Sequence, residues 1–140
     1  MNIKLVSSIA AVAGSRLATI AADAPLVDVA KLLSDTQVSL VVVCAFDGAM
    51  VGVITKSDIV RRIGGCLGSA CMTAAAEVMT REVTSCRPSD FLPDGLSMME
   101  KRGVVHIPVV DENFRPTGVV NARDALRELI QPRRPNVPAH

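Results

Sequence analysis

The sequence predicts an α+β fold built from two β-α-β-β-α repeats, packed through their sheets about a pseudo-two-fold axis. Three observations predict it. Gly52-Val53-Ile54-Thr55-Lys56-Ser57-Asp58-Ile59 returns as Gly118-Val119-Val120-Asn121-Ala122-Arg123-Asp124-Ala125, an offset of 66 residues (118 − 52). Self-similarity at a fixed period marks a duplicated supersecondary unit. The same ungapped offset pairs Val12 with Val78, Asp28 with Asp94, Leu33 with Met99, Val43 with Val109 and Arg61 with Arg127. Finally, a unit of three strands and two helices has an apolar face that it cannot bury alone, so the two units must share a core.

The first repeat covers residues 8–66 and the second 74–130. Each opens with a short helix, near Ser8 and near Ala74. The stretch Leu5–Ala13 behind Lys4 also has the look of a secretory signal, with Ala11-Val12-Ala13 resembling a cleavage site. Its partner at the repeat offset, Ala74–Thr80, is internal, which favours the helix. Arg16–Ala21 reads as a strand. Asp23-Ala24-Pro25 is turn chemistry, and Pro25 can open a helix along which Leu26, Val29, Ala30 and Leu33 recur at helical spacing. Val38–Ala45 is a β-branched run that reads as a buried strand. Asp47-Gly48 signals a hairpin, Met50–Thr55 is the return strand, and Lys56–Ile63 is a helix with Ile59, Val60 and Ile63 on its apolar face. Gly64-Gly65-Cys66-Leu67-Gly68 opens a linker.

The second unit repeats this order. Val83–Cys86 is a strand, and Asp90–Lys101 a helix weakened by Pro93 and Gly95. His106–Val110 and Thr117–Asn121 are the hairpin strands, and Ala122–Leu129 is the closing helix. Residues 131–140 hold Pro132, Pro135 and Pro138 with two arginines and read as a disordered tail.

Composition excludes several roles. A net charge of +1 and a pI near 7.7 provide no field for nucleic acid or acidic membranes. The chain has no Trp, no Tyr and only three Phe, so the aromatic platform of single-strand binders is missing. Its longest later apolar run, Val38–Phe46, is too short to span a bilayer. None of the four cysteines forms a Cys-x-x-Cys pair, so no zinc spacing appears. Cys44 and Cys86 read as small core residues. Cys66 and Cys71 read either as reactive linker thiols or, more simply, as free, reduced thiols of a cytoplasmic protein. No nucleophile–base pair or glycine fingerprint points to an enzyme.

The two Gly-Val-[Ile/Val]-x-x-x-Asp motifs, the segment Val78-Met79-Thr80-Arg81-Glu82-Val83 and the strand His106-Ile107-Pro108-Val109-Val110 together resemble tandem CBS domains, also called Bateman modules, from about Ser8 to Leu129. The resemblance implies a non-catalytic regulatory module that binds AMP, ADP, ATP or a related adenosyl ligand between its repeats. It needs no obligatory cofactor. It implies a homodimer formed through helices, in which Leu96, Met98 and Ile59 suit the interface, and a separate effector protein. A dimerising scaffold with vestigial pockets is the alternative, motivated by the departures at Asn121 and Ala122.

The motif residues have a purely structural reading too. Thr55 can cap the following helix while Asp58 reaches back to its amide, a capping box worth about 1 kcal/mol. The same helix N-terminus suits a phosphate, Asp58 can accept both hydroxyls of a ribose, and Thr55 and Lys56 stand beside it. In the second copy, Asn121 replaces the hydroxyl but still caps. Arg123 is either a phosphate ligand or solvated surface, and Asp124 keeps the ribose acceptor. The resemblance places the adenine between the first and middle strands, at Thr19-Ile20 with Leu40–Val42 and at Ser85-Cys86 with His106 and Pro108. His106 reads either as a strand-end histidine bonded to backbone or as a ligand-contacting or pH-sensing group. Lys101, Arg102 and Arg62 could line a phosphate cleft, but solvated helix surface is the simpler account of each.

Overall fold

The structure, a computed structural model, describes residues 4–64 and 72–130. Cys66, Cys71, most of the glycine-rich linker and the tail at 131–140 lie outside them.

A 3-10 turn at Val6–Ile9 runs into α1 (Ala10–Ser15). Then follow β1 (Thr19–Ala21), α2 (Leu26–Leu33), β2 (Leu40–Cys44), β3 (Met50–Thr55) and α3 (Lys56–Gly64). The second repeat supplies α4 (Ala75–Val78), α5 (Leu92–Arg102), β4 (His106–Val110), β5 (Pro116–Asn121) and α6 (Ala122–Ile130). Pro25 caps α2 in an extended conformation, and Leu26, Val29 and Leu33 face inward at helical spacing. Pro93 does not weaken α5. It sits in the first turn, where no amide hydrogen is needed, and Gly103 ends the helix at φ 68°.

β1 pairs in parallel with β2, and β2 pairs antiparallel with β3. In the second repeat β4 and β5 form the matching hairpin, with a bulge at Val109/Val110 where the first has one at Val43/Cys44. The strand expected at Val83–Cys86 shrinks to one parallel bridge, Cys86 to Val109. That bridge keeps the register of Ile20 with Val43, 66 residues earlier (86 − 20). Proline explains the loss. Val42 N–H donates to the Ala18 carbonyl at 2.9 Å. The repeat equivalent of Val42 is Pro108, which has no N–H to offer Thr84. Arg16, expected in β1, instead follows α1 as its C-cap.

Strand alternation divides the core into three layers. Leu40, Val42, Met50, Val53, Val110 and Val119 interlock between the two sheets. Val41, Val43 and Ile54 face α2 and α3, while Ile107, Val109 and Val120 face α5 and α6. Ile59 belongs to the core of the first repeat, and Leu96 is half-buried against the core of the second. Val60, expected on the buried face of α3, is 70 % exposed.

The opening segments cross over. α1 of the first repeat packs on β5 of the second. Two residues after α4, Thr80 bridges back to Val53 in β3 through reciprocal backbone bonds of 3.0 and 2.8 Å. Gly52 and Gly118 sit at these crossings, which is why both motifs begin with glycine.

Candidate functional site

The crossing of Thr80 over β3 brings the start of the second repeat beside the first motif. A cavity of about 610 Å³ opens between them. Thr55, Lys56, Ser57 and Asp58 form one side, where β3 turns into α3. Thr80, Glu82, Val83 and Thr84 form another, and Arg102 to Pro108 close the third.

The motif side is held by a capping box. The Thr55 backbone N–H donates to Asp58 Oδ2 at 2.9 Å, and the Asp58 N–H donates to Thr55 Oγ1 at 3.4 Å. The Thr55 hydroxyl also donates to Oδ2 at 3.2 Å. The other oxygen, Oδ1, has the exposed Arg61 guanidinium at 3.4 Å. A loose, solvated partner of this kind leaves Oδ1 able to accept from a hydroxyl.

The opposite wall is aliphatic. Val104 and Val105 are exposed large apolar residues on this wall, beside Val83, Ile107 and Pro108. Lys56 and Arg102 supply cationic groups and Glu82 an acidic one. His106 is half-buried at the start of β4. Burial and then the charge of Arg16 lower its pKa, against the opposing pull of Asp124, so the imidazole is neutral at pH 7.

Of the residues singled out from sequence, the cavity gathers Leu40, Thr55, Lys56, Asp58, His106 and Pro108. Thr19, Ile20, Asn121, Arg123 and Asp124 are not among its lining residues. Thr19 is exposed on β1 and Ile20 packs on the helix-facing core of the first repeat. Asn121 Oδ1 accepts from the Arg123 N–H at 2.7 Å and so caps α6, leaving the Arg123 residue exposed. Asp124 was expected to stand open as a ribose acceptor. It is instead buried, with Arg16 Nε donating to Oδ2 and Nη2 to Oδ1, each at 3.0 Å. Val83 and Thr84 line the cavity, whereas Ser85 is not among its lining residues and Cys86 is buried against Pro108 O. Arg102, for which cleft lining and solvated surface are the two sequence readings, lines the cavity too, because the connection from α5 to β4 folds over the first motif.

A family profile described as the CBS domain matches residues 7–65 and again 75–131. The chain is a pair of CBS domains. Among solved structures, this CBS pair superposes on the CBS domain pair of protein MJ0100, crystallised with 5′-methylthioadenosine and S-adenosyl-L-methionine, at a TM-score of 0.76 and 24 % identity over 91 % of this chain and 97 % of that one. It superposes on the CBS domain of a CBS-domain-containing membrane protein from Sphaerobacter thermophilus at a TM-score of 0.73 and 26 % identity, over 89 % and 87 % of the two chains. Among curated proteins it is 34 % identical over 105 residues to the arabinose 5-phosphate isomerase GutQ of Shigella flexneri, covering 75 % of this chain. The CBS pair spans about a third of that relative, 32 % of its length. No helix among the described residues is long and apolar enough to cross a membrane.

Proposed function

We propose that this CBS pair is a non-catalytic regulatory module that takes an adenosyl ligand in the cavity between its repeats and signals to a separate effector protein in the cytoplasm. The cavity carries the reading: one wall offers the aliphatic faces of Val104, Val105 and Pro108, and the other offers the Asp58 carboxylate at a helix N-terminus. That combination suits a flat base joined to a ribose. Lys56 and Arg102 favour a phosphate beyond the ribose, so AMP, ADP or ATP leads the class. Two adenosyl compounds in the MJ0100 pair support the base and sugar part of this reading. The ligand would act by binding one relative packing of the repeats better than another.

A second reading, a dimerising scaffold, has its own support. Val60 on α3 and Leu126 on α6 are exposed apolar residues at repeat-equivalent positions, joined by exposed Ile130. A helix-to-helix homodimer would cover them, and it is compatible with ligand binding.

Isothermal titration calorimetry against AMP, ATP, 5′-methylthioadenosine and S-adenosylmethionine tests the two. Binding of one ligand that is lost in Asp58→Ala supports the sensor. No heat from any of them, or heat unchanged in Asp58→Ala, overturns it in favour of the scaffold.

A further inference from the structure

We infer that Arg16 is a built-in plug: its guanidinium occupies the second of the two repeat-related sites, so each chain takes a single ligand, in the Asp58 cavity. The ligand count rests on the adenosyl reading above; the plug itself does not.

The two sites should look alike, since the repeats superpose on the offset of 66 that joins Asp58 to Asp124 (124 − 58). Three differences at equivalent positions separate them. Where the open cavity has Glu82, the second site has Arg16, and its guanidinium grips Asp124 through two bonds of 3.0 Å. Both carboxylate oxygens that a ribose would use are thereby engaged. Where the open cavity has Gly103, with no side chain, the second site has Gln37, whose Oε1 accepts from Arg16 Nη1 at 2.5 Å. Arg16 is therefore held from both sides. Where the open cavity has Pro108, the second site has Val42, whose N–H closes the strand onto Ala18. The Asp124 side chain is 2 % exposed as a result, against 14 % for Asp58.

The bidentate geometry is what makes the plug effective. A ligand hydroxyl would have to displace a planar fork matched to the carboxylate, a stronger partner than a neutral donor.

Two measurements test the plug. The first is ligand stoichiometry by calorimetry for the wild type, Arg16→Gln and the double variant Arg16→Gln with Asp124→Asn. The expected results are one ligand per wild-type chain, two for Arg16→Gln, and one again for the double variant. The second needs no ligand. Carbodiimide with glycine methyl ester, read by peptide mass spectrometry, should label Asp124 about tenfold faster in Arg16→Gln than in the wild type, with Asp58 labelling unchanged. Two ligands per wild-type chain, or Asp124 labelled as fast as Asp58 in the wild type, overturns the plug. No ligand binding at all sinks the adenosyl reading alone, and labelling then decides the plug. If Arg16→Gln loses its native circular dichroism, Arg16→Lys replaces it in the labelling, with faster modification of Asp124 supporting the plug and an unchanged rate opposing it.

Discussion

Gly52 lies directly beneath Met79: a Cβ added there would stand 2.5 Å from Met79 Sδ and 2.8 Å from the Thr80 carbonyl oxygen. The relationship recurs at Gly118, where an added Cβ would meet the Ala13 carbonyl carbon and Cβ at 2.9 Å each. The two glycines are thus the seats on which each repeat receives the opening segment of the other.

Both positions should resist even a methyl group. Gly52→Ala and Gly118→Ala are each expected to destabilise by about 1–3 kcal/mol, the usual range for overpacking. At both sites one of the blocking atoms is backbone, the Thr80 carbonyl oxygen at 2.8 Å and the Ala13 carbonyl carbon at 2.9 Å, so a swing of the Met79 thioether does not by itself relieve Gly52→Ala. Urea unfolding midpoints of the two variants check the losses.

His106 should make stability fall in mild acid. Its folded pKa lies below the ordinary value because of burial and the Arg16 charge, opposed by Asp124. The unfolded chain then binds more protons than the native one below about pH 6.5, so the histidine's contribution is full above that value and declines as pH drops. His106→Leu, which installs the residue found at the equivalent position Leu40, should flatten the melting temperature between about pH 7 and pH 5. An unchanged slope in the variant would count against this assignment.

Cys86 should be chemically silent in the folded protein. Burial, then the nearby Asp90 charge, pushes its thiol up to about 12. The thiolate is the reactive form, so an alkylating reagent at pH 8 should leave the Cys86 peptide unmodified in buffer and modify it in urea. The neutral thiol contributes stability that is present below about pH 8.5 and lost as pH rises from there. Peptide mass mapping before and after unfolding reads the result.

Much of this architecture was legible in the sequence. Met50–Thr55 and His106–Val110 form the strands that their composition indicates, with the same bounds. Both motifs cap helices as Thr55 and Asn121 suggest, because capping is a matter of neighbouring residues. What sequence missed depends on distant partners. The strand at Val83–Cys86 fails because Pro108, on another strand, lacks the hydrogen it needs. Asp124 reads as an open carboxylate until the fold delivers Arg16 from 108 residues away. Val104 and Val105 fall between the helix and the strand that the sequence indicates, yet they wall the cavity because the chain turns there at Gly103. Local patterns carried the elements, and the pairing of opposite halves determined the site.

The exchange of opening segments has a consequence for how the molecule comes apart. Each half borrows a piece of its cover from the other, so loosening β5 from α1 strips one half just as it frees the other. Neither half is a self-sufficient folding unit. Heating should therefore produce one cooperative transition, with calorimetric and van't Hoff enthalpies in agreement, rather than two steps for two look-alike halves.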